Sequence, residues 1–159
     1  DKKLIISDIL SDKIMTDSNL LRTLRRRKNN KRMEKEKFHI EYIFDKVSRR
    51  SLWNHVTSAL GLSAWFADEV TIQGNLYTFR WNKEKQQARV IESKPETQIR
   101  YQWVDEEDKS AYFEFAIHTI ELTGSTALEI TDFAEPGEKT DSIDLWDSQV
   151  EDLKRTLGI

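Results

Sequence analysis

Residues 140–159 read Thr140-Asp141-Ser142-Ile143-Asp144-Leu145-Trp146-Asp147-Ser148-Gln149-Val150-Glu151-Asp152-Leu153-Lys154-Arg155-Thr156-Leu157-Gly158-Ile159. Ile143, Trp146, Val150, Leu153 and Leu157 recur at spacings of three and four, which predicts a helix with one apolar stripe. Ser142 is placed to cap its start and Gly158 to end it. A lone helix of this kind is not stable in water, so the stripe must be covered by other elements. The alternating segments between Phe38 and Phe133 are what the chain offers to cover it.

Working back toward the N-terminus, the pattern has a period of two. Phe38, Ile40, Tyr42 and Phe44 alternate with His39, Glu41 and Ile43, as in a half-buried strand. Ser48 then suits an N-cap for a helix through Leu52, Trp53, Val56 and Leu60 stopped by Gly61, and Ser63 a cap for a second helix holding Trp65 and Phe66. Val70 and Ile72 lead to Gln73-Gly74-Asn75, after which Tyr77, Phe79 and Trp81 take the opposite parity, as a hairpin requires. A turn over 82–86, a strand with Ala88, Val90 and Glu92 ending at Pro95, then Ile99, Tyr101 and Trp103 continue the series. Phe113, Phe115 and Ile117, and after Thr123-Gly124-Ser125 a last strand with Leu128 and Ile130, complete seven strands. Successive hairpins predict a meandering antiparallel sheet with the first strand joining one edge.

This order, strand, two short helices, six antiparallel strands and a long terminal helix, resembles the START-like superfamily and its helix-grip fold. The similarity is strongest to the branch related to activators of the heat-shock chaperone ATPase. Its carriers are Ser48-Arg49-Arg50-Ser51-Leu52-Trp53, Leu62-Ser63-Ala64-Trp65-Phe66-Ala67-Asp68, Pro95 before Gln98-Ile99-Arg100-Tyr101-Gln102-Trp103, and the helix from Trp146 to Leu157. The resemblance implies an α+β fold: a curved seven-stranded antiparallel sheet whose concave face is gripped by the C-terminal helix. It also implies a non-enzymatic domain that binds a hydrophobic small molecule, a lipid, isoprenoid or aromatic compound, between helix and sheet. Trp65, Phe66, Phe79, Trp81, Tyr101, Trp103, Phe115, Trp146, Val150 and Leu153 would form the walls. The alternative is a protein-interaction module, such as a chaperone partner, with a filled core. A monomer and a homodimer are both compatible with the sequence.

Composition narrows the chemistry. Among 159 residues there is no cysteine, which removes thiol nucleophiles, CxxC redox pairs and cysteine zinc sites and suits a reducing cytoplasm. The three histidines, His39, His55 and His118, lie far apart in sequence and in no zinc-ligand spacing, so no metal or other cofactor is expected. Five glycines form neither a GxGxxG nor a phosphate-binding loop. Glu114 and His118 share one face of a strand, with His39 as a third acid or base candidate. Phe113, Phe115 and Ile117 take the other face, which points the polar pair outward and implies no catalytic residue. Asp105-Glu106-Glu107-Asp108 reads as a solvated turn, since it lacks the spacing of a calcium loop. Arg80 and Arg100 alternate with the aromatics and are expected outside. No apolar run approaches the roughly 20 residues of a membrane helix.

The net charge of −3 divides unevenly. Residues 1–37 carry 12 Lys and Arg against 6 Asp and Glu, +6; the remaining 13 against 22 give −9. Seven of the eleven residues in Arg22–Arg32 are basic, a pattern for nucleic acid or an anionic surface. The segment has no aromatic to stack on a base, and a solvated tail explains it more simply, so nucleic acid is not the expected partner. Met33-Glu34-Lys35-Glu36-Lys37 also reads as a start. The organisation expected is therefore a basic extension over 1–32, either disordered or upstream of the natural start, and a folded domain over 33–159.

Overall fold

The structure, a computed structural model, describes residues 34–159. The readings made for the basic arm and for Met33 lie outside these residues. The elements follow in the order β1 (Glu36–Phe44), α1 (Arg49–Thr57), α2 (Ala59–Ser63), β2 (Glu69–Gln73), β3 (Leu76–Trp81), β4 (Glu84–Lys94), β5 (Gln98–Trp103), β6 (Phe113–Thr119), β7 (Thr126–Ala134) and α3 (Lys139–Leu157). The strands form one antiparallel sheet in the order β1-β7-β6-β5-β4-β3-β2, so β1 and β2 are its edges and the sheet is not closed. The expected α+β architecture, with seven strands and a long C-terminal helix, is the observed one.

The parity of each strand decides what faces α3. Phe38 and Phe44 on β1, Tyr77, Phe79 and Trp81 on β3, Ile99 and Tyr101 on β5, Phe113, Phe115 and Ile117 on β6, and Leu128 and Ile130 on β7 are buried. They meet Trp146, Val150 and Leu153 of α3 and Leu52, Val56 and Leu62 of the two short helices in a single cluster. Each such side chain contributes about 1.5–3 kcal/mol of transfer free energy on full burial. Several side-chain bonds fasten α3, these among them. Trp146 Nε1 donates to Asp132 (2.9 Å), Tyr42 Oη to Asp147 (2.7 Å), Gln149 Nε2 to the Phe66 carbonyl (3.4 Å) and Thr156 Oγ1 to the Ala64 carbonyl (3.2 Å).

Local details differ from the sequence expectation in four places. α3 begins at Lys139, three residues before the cap expected at Ser142; Glu138 is the N-cap residue and makes no side-chain bond there. Ser142 lies inside the helix, its N–H donating to the Glu138 carbonyl. At the other end Gly158 adopts φ 78°, the left-handed conformation expected of a terminating glycine. The first short helix does not run to Gly61. It stops at Thr57, and Ser58 caps α2 by accepting from the Gly61 N–H at 2.9 Å. Gly61 sits within α2 for a steric reason: a Cβ there would lie 2.2 Å from the Asn54 carbonyl oxygen. Trp65 and Phe66, expected on a helix capped by Ser63, instead occupy the turn after α2. Finally, β4 starts at Glu84, inside the expected turn, and its register shifts between Val90 and Glu92. The irregularity breaks the parity, so Ala88 is buried in the core while Glu92 emerges on the outer face beside Arg100.

Candidate functional site

The space between α3 and the concave face of the sheet is where a ligand was expected, and the structure brings all the expected wall residues into it. Trp65, Phe66, Phe79, Trp81, Tyr101, Phe115, Trp146, Val150 and Leu153 are buried, and Trp103 packs half-buried against the same cluster. What they do there is touch one another. Phe66, carried in by the turn after α2, is the hub. Its ring stacks on Trp146 (5.9 Å between centroids, 13°) and on Phe113 (5.8 Å, 30°). It meets Phe79, Trp81 and Phe115 edge to face at 5.0, 5.6 and 6.2 Å. Phe79, Trp103, Phe113 and Tyr101 continue the contacts at 4.9 to 6.4 Å. These are ordinary distances for interlocked aromatic pairs.

The polar ends of these rings are also occupied by the protein itself. Tyr101 Oη donates to the Val56 carbonyl (2.6 Å), Tyr77 Oη to Thr57 (2.7 Å), Trp65 Nε1 to His55 (2.8 Å) and Trp81 Nε1 to Phe66 (2.8 Å). Burial raises the pKa of both tyrosines above the usual phenol value, so each holds its proton. Among the described residues no buried side-chain nitrogen or oxygen lacks a hydrogen-bond partner. A ligand entering this space would therefore find no waiting polar anchor. Phe113 and Tyr77 belong to the same walls; each is in phase with a wall residue expected from the sequence, Phe115 and Phe79, and that parity is their signal.

A cleft of about 380 Å³ opens at the margin, between residues 63–68 and the C-terminal half of α3. Trp65 and Phe66 form part of its lining, but Ser63, Asp68, Asp152, Arg155 and Thr156 share it. Arg155 is paired with Asp152 at 2.8 Å, and Asp68 accepts the Asn82 N–H at 2.7 Å.

The acid and base candidates lie on the opposite, outer face of the sheet, as their parity predicts. Glu114 is bonded to Arg100 Nε at 2.9 Å, and that guanidinium also lies 3.9 Å over the Tyr112 ring. His118 faces Glu41 rather than Glu114 (3.4 Å), and His39 bonds Thr131 Oγ1 at 2.8 Å with Glu129 at 3.5 Å. Arg80 is outside too, 3.8 Å from Glu69. The Asp105–Asp108 turn is held by its own side chains, Glu106 accepting the Asp108 N–H and Asp108 the Ser110 N–H. No helix among the described residues is long and apolar enough to cross a membrane.

A seven-stranded sheet whose concave face is gripped by one long C-terminal helix defines the helix-grip class of α+β domain. The family model described as "START-like superfamily domain" matches residues 32–159, and the chain belongs to that superfamily. BfR322 from Bacteroides fragilis, solved in solution, is similar at 42% identity and a TM-score of 0.59, over 80% of this chain and 94% of its own. The Aha1 dimer from Colwellia psychrerythraea is similar at 19% identity and a TM-score of 0.66, over 78% and 97% respectively. CalU16 from Micromonospora echinospora is similar at 16% identity and a TM-score of 0.57, over 75% and 72%. The last two likenesses speak for the fold alone. No curated protein matches the chain.

Proposed function

We propose that this START-like domain is a non-enzymatic protein-interaction module that works with a filled interior, its partner being a folded protein such as a heat-shock chaperone. The observation that carries this reading is the interlocked ring cluster around Phe66, in which the expected ligand walls occupy the space they were expected to enclose. The complete hydrogen bonding of the buried side chains supports it, because ligand sites normally keep a few polar groups to orient what they bind. The resemblance of Ser48–Trp53 and Leu62–Asp68 to the branch related to activators of the heat-shock chaperone ATPase supports the choice of partner class, and the dimeric Colwellia Aha1 makes a homodimer the competing assembly. The contact surface in this reading is the outer sheet face, where Arg100, Glu92 and Glu114 make a charged network and where binding is salt-sensitive.

The second reading, a hydrophobic small molecule held by Trp65, Phe66 and their neighbours, is favoured by the cleft of about 380 Å³, a volume within the range of small-molecule sites. One experiment separates the two. The full chain, isolated gently from its host, is examined by native mass spectrometry, titrated with a fluorescent acyl probe, and titrated with the chaperone at low and high salt. The module reading expects no adduct, no saturable probe binding and a chaperone complex that weakens with salt. Saturable probe binding that is weakened by Trp103→Ala without loss of fold would replace it with the second reading.

A further inference from the structure

Charge is unevenly shared over the outer sheet face. Residues 38–159 total −9, yet residues 76–104, from β3 to just past β5, carry six Lys and Arg against three Glu, +3. Strand register gathers part of that excess in one place. Alternating with the buried Tyr77, Phe79, Trp81 and Ala88, Arg80 lies opposite Lys85, Thr78 opposite Gln87 and Leu76 opposite Arg89. Arg89 has Gln102 on its other side, and Val104 donates its N–H to the Gln87 carbonyl at 2.9 Å. The result is a small grid across three strands in which no position is acidic.

Arg80 and Lys85 are like charges directly opposite one another, an arrangement that weakens strand pairing. Glu69, opposite Arg80 on β2 and 3.8 Å from it, offsets one of them. The cations surround a neutral centre. There Gln87 Nε2 donates to Thr78 Oγ1 at 3.1 Å, and beside it the Val104 side chain is 45% exposed. An apolar side chain ringed by charged and hydrogen-bonding groups is the layout of a protein-contact patch. Lys85 and Arg89, both exposed, stand four residues apart on one strand, a separation of about 13–14 Å. Carboxylates begin at the border, with Glu92 beyond the β4 irregularity and Asp105 next after Val104.

Phosphates would also meet these cations, but unpaired bases need rings to stack on. The outer-face rings among the described residues, Tyr112 and Phe133, stand beside β6 and on β7; they contact each other at 4.9 Å, and Arg100 lies 3.9 Å over Tyr112. Neither belongs to the grid, and a domain of −9 repels a long polyanion. A protein is the occupant these observations favour.

We propose that the outer face of β3, β4 and β5, centred on Gln87 and Val104, docks an acidic protein surface. Its carboxylates, about 13–14 Å apart, meet Lys85 and Arg89, and an apolar side chain between them rests on Val104. The inference rests on the interaction-module reading and narrows its contact surface to one half of the sheet.

The test titrates the isotope-labelled full chain with a synthetic peptide carrying glutamates four residues apart and a leucine between them, at low and high salt. The expected result is saturable amide shift changes centred on Gln87, Arg89 and Val104, with a dissociation constant below about 1 mM that weakens with salt. Shifts are read residue by residue, so peptide held by the basic residues 22–32 registers separately. The double reversal Lys85→Glu with Arg89→Glu should weaken binding at the grid about tenfold. A matched reversal, Lys46→Glu with Arg50→Glu, at exposed positions before and within α1, should not, and both variants should keep the parent's far-UV spectrum. The same variants are titrated with the chaperone. A chaperone that binds the parent and both variants alike overturns this inference and leaves the module reading standing. A chaperone that never binds, while the peptide maps to the grid, removes the chaperone as partner and leaves the acidic-surface site standing. The inference is also overturned if the peptide shifts lie elsewhere or are absent, if the two reversals behave alike, or if a single-stranded oligonucleotide binds the grid more tightly than the peptide.

Discussion

Replacing Phe66 by alanine removes the ring on which the interior turns. Phe66 is 1% exposed and in ring contact with Trp65, Phe79, Trp81, Phe113, Phe115 and Trp146. Deleting a buried phenylalanine costs about 3–5 kcal/mol, the transfer term plus the void left behind. The six aromatic neighbours are held by their own hydrogen bonds and strand positions, so the void cannot collapse easily and the cost falls near the upper half of that range, about 4 kcal/mol. Against a total stability of about 5–15 kcal/mol the variant still folds. Its thermal midpoint should fall by roughly 15 °C for a domain of this size. The functional consequence is more specific. On the interaction-module reading the parent should not bind indole or benzene. The variant should bind them, because an apolar void of about 150 Å³ is known to accept benzene. Denaturant unfolding gives the energy, and chemical-shift perturbation of the Trp146 indole on titration with the aromatic probe gives the binding. If the parent binds the probe as tightly as the variant, the interior is not filled and the interaction-module reading loses its main support.

Gly61→Ala places a Cβ against the Asn54 carbonyl oxygen and the His55 Cα, at 2.2 and 2.6 Å. Alanine would gain about 0.8–1 kcal/mol in helix propensity, but forcing α1 and α2 apart should cost about 1–3 kcal/mol or more, so urea unfolding should show net destabilisation; an equally stable variant would mean the two helices are not in this contact. Tyr77 and Tyr101 are acids whose burial raises the folded-state pKa above the ordinary 10.0. Their contribution to stability is complete below about pH 10 and falls as pH rises beyond it, because the unfolded chain releases the protons first. Tyr101→Phe should flatten that alkaline slope in urea midpoints while costing about 1 kcal/mol near neutrality through the lost bond to Val56.

The period of two in the strands and of three to four in the last helix determined the elements, their antiparallel order and the face each residue takes, because side-chain direction follows from backbone geometry within one element. Arg80, Arg100, Glu114 and His118 lie outside for that reason, and the aromatics inside. Caps were less legible. Ser48 caps α1 as expected, but Ser58 competes for the next helix and Glu138 displaces Ser142, since several polar residues near a helix start can serve and tertiary packing chooses among them. Parity also failed at the β4 irregularity, where one extra residue turned Glu92 outward. Two matters were decided only by the tertiary structure. Where the turn after α2 delivers Phe66, and which rings of the sheet and of α3 it meets there, depends on tertiary packing that no single-element period encodes. His39 and His118, separated by most of the chain, share a surface with Glu41 and Glu129 only because β1 pairs with β7 and β7 with β6. Spacing along the sequence could not show which carboxylate each imidazole meets, because those pairs form across strands.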